Sequence, residues 1–197
     1  MKTQGRVLII LGLQQGLFDE AAPIRRCVEP PGEIDRVRGA IATLAGSSAS
    51  SWGGIVHVAM HQKHQVNQQL SEVESFLLEH QSLEQGSNGA QVHESLALAC
   101  PDTVMLAAAP GRNAFHGSGL DQYLSDLGPR QIIMAGPVLG GILADTCRTA
   151  YLLGYEIHVP TDCLLASSAS ELDVYLDSVL CGLVLLTRSE ELLGGVA

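Results

Sequence analysis

Several groups of side chains in this sequence could do chemistry. Cys27, Cys100, Cys147, Cys163 and Cys181 offer thiols. A thiol attacks as its thiolate, so it needs a base or positive charge beside it. His57, His61 and His64 suggest a metal site. His57 falls within an apolar run, however, and His61 with His64 alone make an incomplete ligand set, so no metal is expected. Arg112, Asn113 and His116 cluster after another apolar run, where a cation and two polar groups could hold a small ligand. Gly136-Pro137 and Gly140-Gly141 bracket a sharp turn. It is neither GxGxxG nor GxxxxGK[ST], so it reads as a strand-to-helix turn. Its amides at Gly141 and Ile142 are expected to face a pocket at a helix N-terminus. Asp19 and Glu20 read as a solvated loop pair.

Apolar runs and amphipathic stretches must position these groups. Strands are predicted at Val7–Leu13, Gly54–Ala59, Thr103–Ala108, Gln131–Ala135, Tyr155–Pro160 and Leu183–Leu186. Helices are predicted at Gly32–Ala45, Gln69–Glu79, Ser118–Leu127, Ile142–Leu153, Ser170–Cys181 and Ser189–Leu193. Gly46–Ser51 and Gln81–Asn88 read as loops. Strands that alternate with helices imply a three-layer α/β/α sandwich, a doubly wound six-stranded parallel sheet. Residues 1–197 are expected to form one domain. In such a sheet, ligands bind beyond the carboxyl ends of the strands. That selects Gly12–Phe18, Met60–His64, Ala109–His116, Gly136–Ile142 and Asp162–Ser167 as the segments to inspect.

Composition narrows the function. The 197 residues hold 11 Lys+Arg against 21 Asp+Glu, a formal net charge of -10. That balance argues against a nucleic-acid groove or an anionic membrane surface. No run is long enough to span a membrane. An odd number of cysteines, with no CxxC, suggests reduced thiols and a cytoplasmic protein. Lys2 and Lys63 are the only lysines, which limits lysine chemistry.

Four segments together resemble the isochorismatase-like cysteine hydrolases: QGSNGAQVHESLALACPDTVML, NAFHGSGLDQYL, TCRTAYLLGYEIHVPTDCLLAS and LLTRSEELL. The likeness covers nearly the whole chain and implies the isochorismatase-like hydrolase fold, a Rossmann-like arrangement. It also implies a dimer or larger oligomer, formed through helices near the active site. Hydrolases of that family use an Asp after the first strand, a Lys before the S-A-F-like segment and a Cys opening the helix after the fourth strand. By the spacing of those motifs, the three positions here are Gly12, Ala109 and Ile142. None can supply a base, a cation or a nucleophile. The metal-binding relatives place an Asp near Met60, which cannot ligate a hard cation.

The resemblance therefore implies a pseudoenzyme with a binding or assembly role. The alternatives are non-covalent chemistry on a small, mostly apolar metabolite, or a hydrolase using Cys147. That thiol lies more than a helical turn beyond Ile142 and is expected in the packed interior. The candidate pocket comprises Gln14, Phe18, His61, Arg112, Asn113, Phe115, His116, Gly141 and Ile142. With its Asp and Lys gone, it should favour a neutral or aromatic ligand. No cofactor is expected.

Overall fold

A computed structural model describes residues 5–46, 52–63 and 70–194. Its strands are β1 (Arg6–Leu11), β2 (Gly54–Ala59), β3 (Val104–Ala107), β4 (Gln131–Pro137), β5 (Glu156–Pro160), β6 (Leu164–Leu165) and β7 (Leu185–Thr187). Its α-helices are α1 (Gln15–Phe18), α2 (Glu33–Gly46), α3 (Glu72–Glu79), α4 (Glu94–Ala99), α5 (Leu120–Leu127), α6 (Ile142–Leu152), α7 (Ala169–Val174) and α8 (Ser189–Gly194). Of the loop expected at Gly46–Ser51, Gly46 instead ends α2 and residues 47–51 lie outside the described residues, as do the start of a helix at Gln69, Lys2 and His64.

All strands run parallel, in the order β3-β2-β1-β4-β5-β7. The chain winds outward from β1 through β2 to β3. It then returns to lay β4 on the other side of β1, so the winding reverses between β1 and β4. A crevice opens at that switch point, beyond the carboxyl ends of both strands. The sheet has seven strands where six were expected. The extra strand, β6, is only Leu164–Leu165, paired with Gly136 and Pro137 at the end of β4. Two residues are too few to leave a periodic signature.

Burial on both faces explains why β1 is apolar from Val7 to Leu11. Leu8 and Ile10 enter one core with Ile34, Val37, Ile41 and Leu44 of α2. Val7, Ile9 and Leu11 enter the other with Leu124 of α5 and Leu143, Cys147 and Ala150 of α6. The helix expected at 170–181 is instead α7 followed by a π turn, Tyr175–Val179. The i→i+5 bond is Leu180 N–H to the Tyr175 carbonyl, 3.0 Å. A π turn inserts one extra residue per turn, which side-chain spacing alone does not distinguish from an α-helix. No described helix is long and apolar enough to cross a membrane.

His57 interrupts this apolar interior. Alternation along β2 sets it on the face of Ile55 and Ala59. The residue is fully buried, and neither ring nitrogen has a hydrogen-bond partner. Burial alone pulls its pKa down from 6.5 to about 3. The folded protein thus keeps a neutral ring at pH values where the unfolded chain takes up a proton. This group's contribution to stability is whole above pH 6.5 and is lost as pH falls from there toward 3. The loss approaches ~1.4 kcal/mol per pH unit. Denaturant titrations of wild type and His57→Leu at pH 7 and pH 5 check this. The variant should lose less stability between the two, and an equal loss in both would refute the assignment.

Candidate functional site

Gly12 ends β1 in a left-handed conformation, φ +57°. Its N–H donates to the Val58 carbonyl at 3.0 Å, and its own carbonyl accepts from Gln14 N–H at 2.7 Å. A Cβ placed here would meet Pro137 Cγ at 3.5 Å and Met60 Cγ at 3.6 Å, ordinary contacts. A Cβ therefore fits, and a substitution carries backbone strain of about 1–2 kcal/mol. Gln14 is fully buried and engaged at both ends of its amide. Oε1 accepts from Met60 N–H at 2.7 Å, and Nε2 donates to the Ala90 carbonyl at 2.9 Å. The side chain splices the end of β1 to the end of β2 and to the turn Asn88–Ala90. Phe18, at the end of α1, is also fully buried; it packs in the core with Ile24 and Ile34, where no ligand reaches it.

The segment after β3 is bolted to α6. Asn113 Nδ2 donates to Thr149 Oγ1 at 2.7 Å, while its Oδ1 accepts from Phe115 N–H at 3.0 Å. Thr146 Oγ1 accepts from Ala114 N–H at 3.0 Å and donates to the Ile142 carbonyl at 2.8 Å. Ala109 N–H donates to the His116 carbonyl at 2.8 Å. The His116 side chain is exposed, and Phe115 is half-buried against the second core. His61 is buried, with Nδ1 3.2 Å from the Ala108 carbonyl. Asn113 and His61 thus hold the wall of the site together. Asp19 caps its own loop through Ala21 N–H at 2.8 Å, and Glu20 faces solvent.

At the start of α6, Gly140 and Gly141 adopt φ +65° and +76°. Gly141 N–H, expected to face a pocket, donates to the Val138 carbonyl at 3.2 Å. Ala144 N–H, one turn further on, donates to the Tyr175 hydroxyl at 2.7 Å. Burial holds that phenol above its ordinary pKa. Ile142 is 5% exposed and joins Met60, Ala108 and Val138 in the second core.

Arg112 reaches this place, and a partner invisible in the sequence meets it there. Its Nε and Nη2 donate to Glu74 Oε1 and Oε2 at 2.7 and 2.8 Å. Glu74 is buried because its helix begins with a capping box: Ser71 Oγ accepts from Glu74 N–H, and Glu74 Oε2 accepts from Ser71 N–H. Beside the pair, a cavity of about 20 Å³ touches Ile142, Gly140, Gly111, Leu78 and Lys63. That is room for about one water. A wider cavity of about 680 Å³ lies against α3, lined in part by Lys63, Leu77, Leu78, Leu83 and Pro110. Glu74 and Lys63 were not among the expected pocket residues; the Ser71-x-x-Glu74 spacing was the available signal for the first.

Cys147 is fully buried, with Sγ 3.5 Å from Met134 Sδ, and burial pushes its thiol up to about 12. Among the described residues, no group of three His, Cys, Asp or Glu side chains could hold a metal. His64, read with His61 as an incomplete ligand set, lies outside the described residues.

Gln14→Leu tests the splice. It orphans the Met60 N–H and the Ala90 carbonyl, each worth about 1–3 kcal/mol when buried without a partner. The denaturation midpoint should fall accordingly; an unchanged midpoint would remove Gln14 from this role.

The fold agrees with comparisons to known proteins. The family model for the isochorismatase domain matches residues 6–190. An isochorismatase-like hydrolase from Alkaliphilus metalliredigens superposes with a TM-score of 0.76 at 13% identity, covering 98% of each chain. A cysteine hydrolase from Pseudomonas syringae pv. phaseolicola gives 0.76 at 17%, covering 98% of this chain and 93% of that one. N-carbamoylsarcosine amidase from Thermoplasma acidophilum gives 0.68 at 16%, covering 94% and 97%. At these identities the likeness is one of fold. A search of curated protein sequences finds no match. With a family model spanning nearly the whole sheet, the chain belongs to the isochorismatase family.

Proposed function

We propose that this chain is a pseudoenzyme of its family, which keeps the hydrolase scaffold and acts by binding a small molecule or by assembling with copies of itself. The observation that carries the reading is the filled site. The family resemblance assigns Gly12, Ala109 and Ile142 to the triad positions; Ile142 is buried, and only about 20 Å³ remains beside it. Cysteine hydrolysis needs a thiolate, a base and oxyanion donors together. The thiol nearest to Ile142 in sequence, Cys147, sits in the core with its pKa pushed up to about 12. That removes support for a hydrolase built on Cys147.

Non-covalent chemistry on a small apolar metabolite is a second reading. The cavity of about 680 Å³ beside Lys63 favours it, being of the size that small ligands occupy. The five cysteines are all free, which supports a reducing compartment such as the cytoplasm.

A panel of amides, ureas, N-carbamoyl compounds and enol ethers separates these readings. We expect no turnover above the solvent rate. Turnover that survives Cys147→Ser would establish the second reading, and turnover abolished by that variant would restore the cysteine hydrolase.

Assembly has its own support and its own test. Leu98, Leu152 and Val174 are more than half exposed, as are Tyr151 and Leu185, and such side chains are available for burial between copies. Light scattering after size-exclusion chromatography should give a dimer or larger. A monomer at every concentration would sink the assembly role.

A further inference from the structure

The contact between Arg112 and Glu74 has the form that a guanidinium makes with a bound carboxylate. Nε and Nη2 grip the two oxygens side-on, at 2.7 and 2.8 Å. The gripped side chain is 5% exposed and the gripping one 36%. Glu74 reaches this position past Gly140, where an added Cβ would lie 3.0 Å from Glu74 Cγ. The pair also separates two spaces. On one side lies the gap of about 20 Å³ against Ile142. On the other is an open cleft of about 600 Å³, bordered by Glu74, Arg112, Gly140, Gly141, Glu171 and Tyr175. Withdrawing the Glu74 carboxylate would join them.

We propose that Arg112 anchors a carboxylate-binding site which Glu74 occupies in the free protein, so that ligand binding and release of Glu74 are one exchange. This rests on the reading of the chain as a binding protein. An internal competitor lowers apparent affinity by the fraction of time that Glu74 has released the Nε and Nη2 edge. The ligand class follows from the surroundings. Leu70, Val73, Val138 and Tyr175 border the outer cleft, which alone has room for it, so the body of the ligand is apolar. Glu72 and Glu171 border the outer cleft, so a second negative charge is repelled. A small monocarboxylate with an apolar body satisfies both, whereas a dicarboxylate or a phosphate does not.

Benzoate is the probe, with benzamide as its neutral counterpart and phthalate as its dianion. Titration calorimetry would be run on wild type, Glu74→Gln and Glu74→Gln/Arg112→Met. Glutamine keeps the capping-box geometry while giving up the charge. We expect benzoate to bind Glu74→Gln at least about tenfold tighter than wild type, a change of ~1.4 kcal/mol. Benzamide and phthalate should not gain, and Arg112→Met should abolish the gain. Equal benzoate affinity in wild type and Glu74→Gln, or none in the folded variant, would overturn the proposal.

Should Glu74→Gln fail to fold, the wild type still decides. The Arg112 Nε–H resonance should shift on adding benzoate and stay fixed with benzamide; a benzoate-silent resonance would overturn the exchange. Failure here is distinct from failure of the pseudoenzyme reading, which falls only to catalytic turnover.

Discussion

Burial of the central strands on both faces is the constraint from which the site's form follows. β1 and β4 lie between two cores, so their side chains reach no ligand along their length. Chemistry becomes available only where pairing ends, and there each freed backbone group needs a new partner. Much of the polar chemistry beyond these strand ends is spent on that demand. Gln14 serves Met60 and Ala90, Thr146 serves Ala114, and the Tyr175 hydroxyl serves Ala144. Asp162 does likewise beyond β5, accepting from the N–H of Ser189 at the start of α8. These side chains act as backbone partners first.

Arg112 and Glu74 extend the same logic to charge. A half-exposed guanidinium facing a buried carboxylate satisfies both groups and leaves the region locally neutral. Breaking such a pair by removing one partner leaves the other uncompensated, a larger penalty than the net worth of the pair. The site is therefore closed by complementarity as much as by volume. Ile142 closes it from the α6 side, where its side chain joins the second core.

The apolar strands, the order of strands and helices and the glycine turns were legible because each leaves a local pattern. β6 was not, since two residues carry no period, and α4 was not, being only Glu94–Ala99. The π turn at Tyr175 escaped because it shares its side-chain spacing with a helix. Among site residues, Arg112 was legible as a cation beyond a strand. Glu74 was not, because its partner lies 38 positions away and only the fold joins them. Gln14, Phe18 and Asn113 were marked by their place at strand ends. Their roles depended on which backbone groups and core side chains surrounded them.

The space at Gly12 bears on which positions of the site are free to change. A Cβ added there meets Pro137 and Met60 at ordinary distances, so the obstacle to a side chain at this turn is its left-handed backbone rather than crowding. Position 142 has no such freedom. Its isoleucine is part of the core, and a smaller residue would leave a hole beneath the helix start. The two positions are thus unequally constrained. At Gly12 a change is resisted by the backbone conformation of one residue, whereas position 142 is tied to the packing of its neighbours.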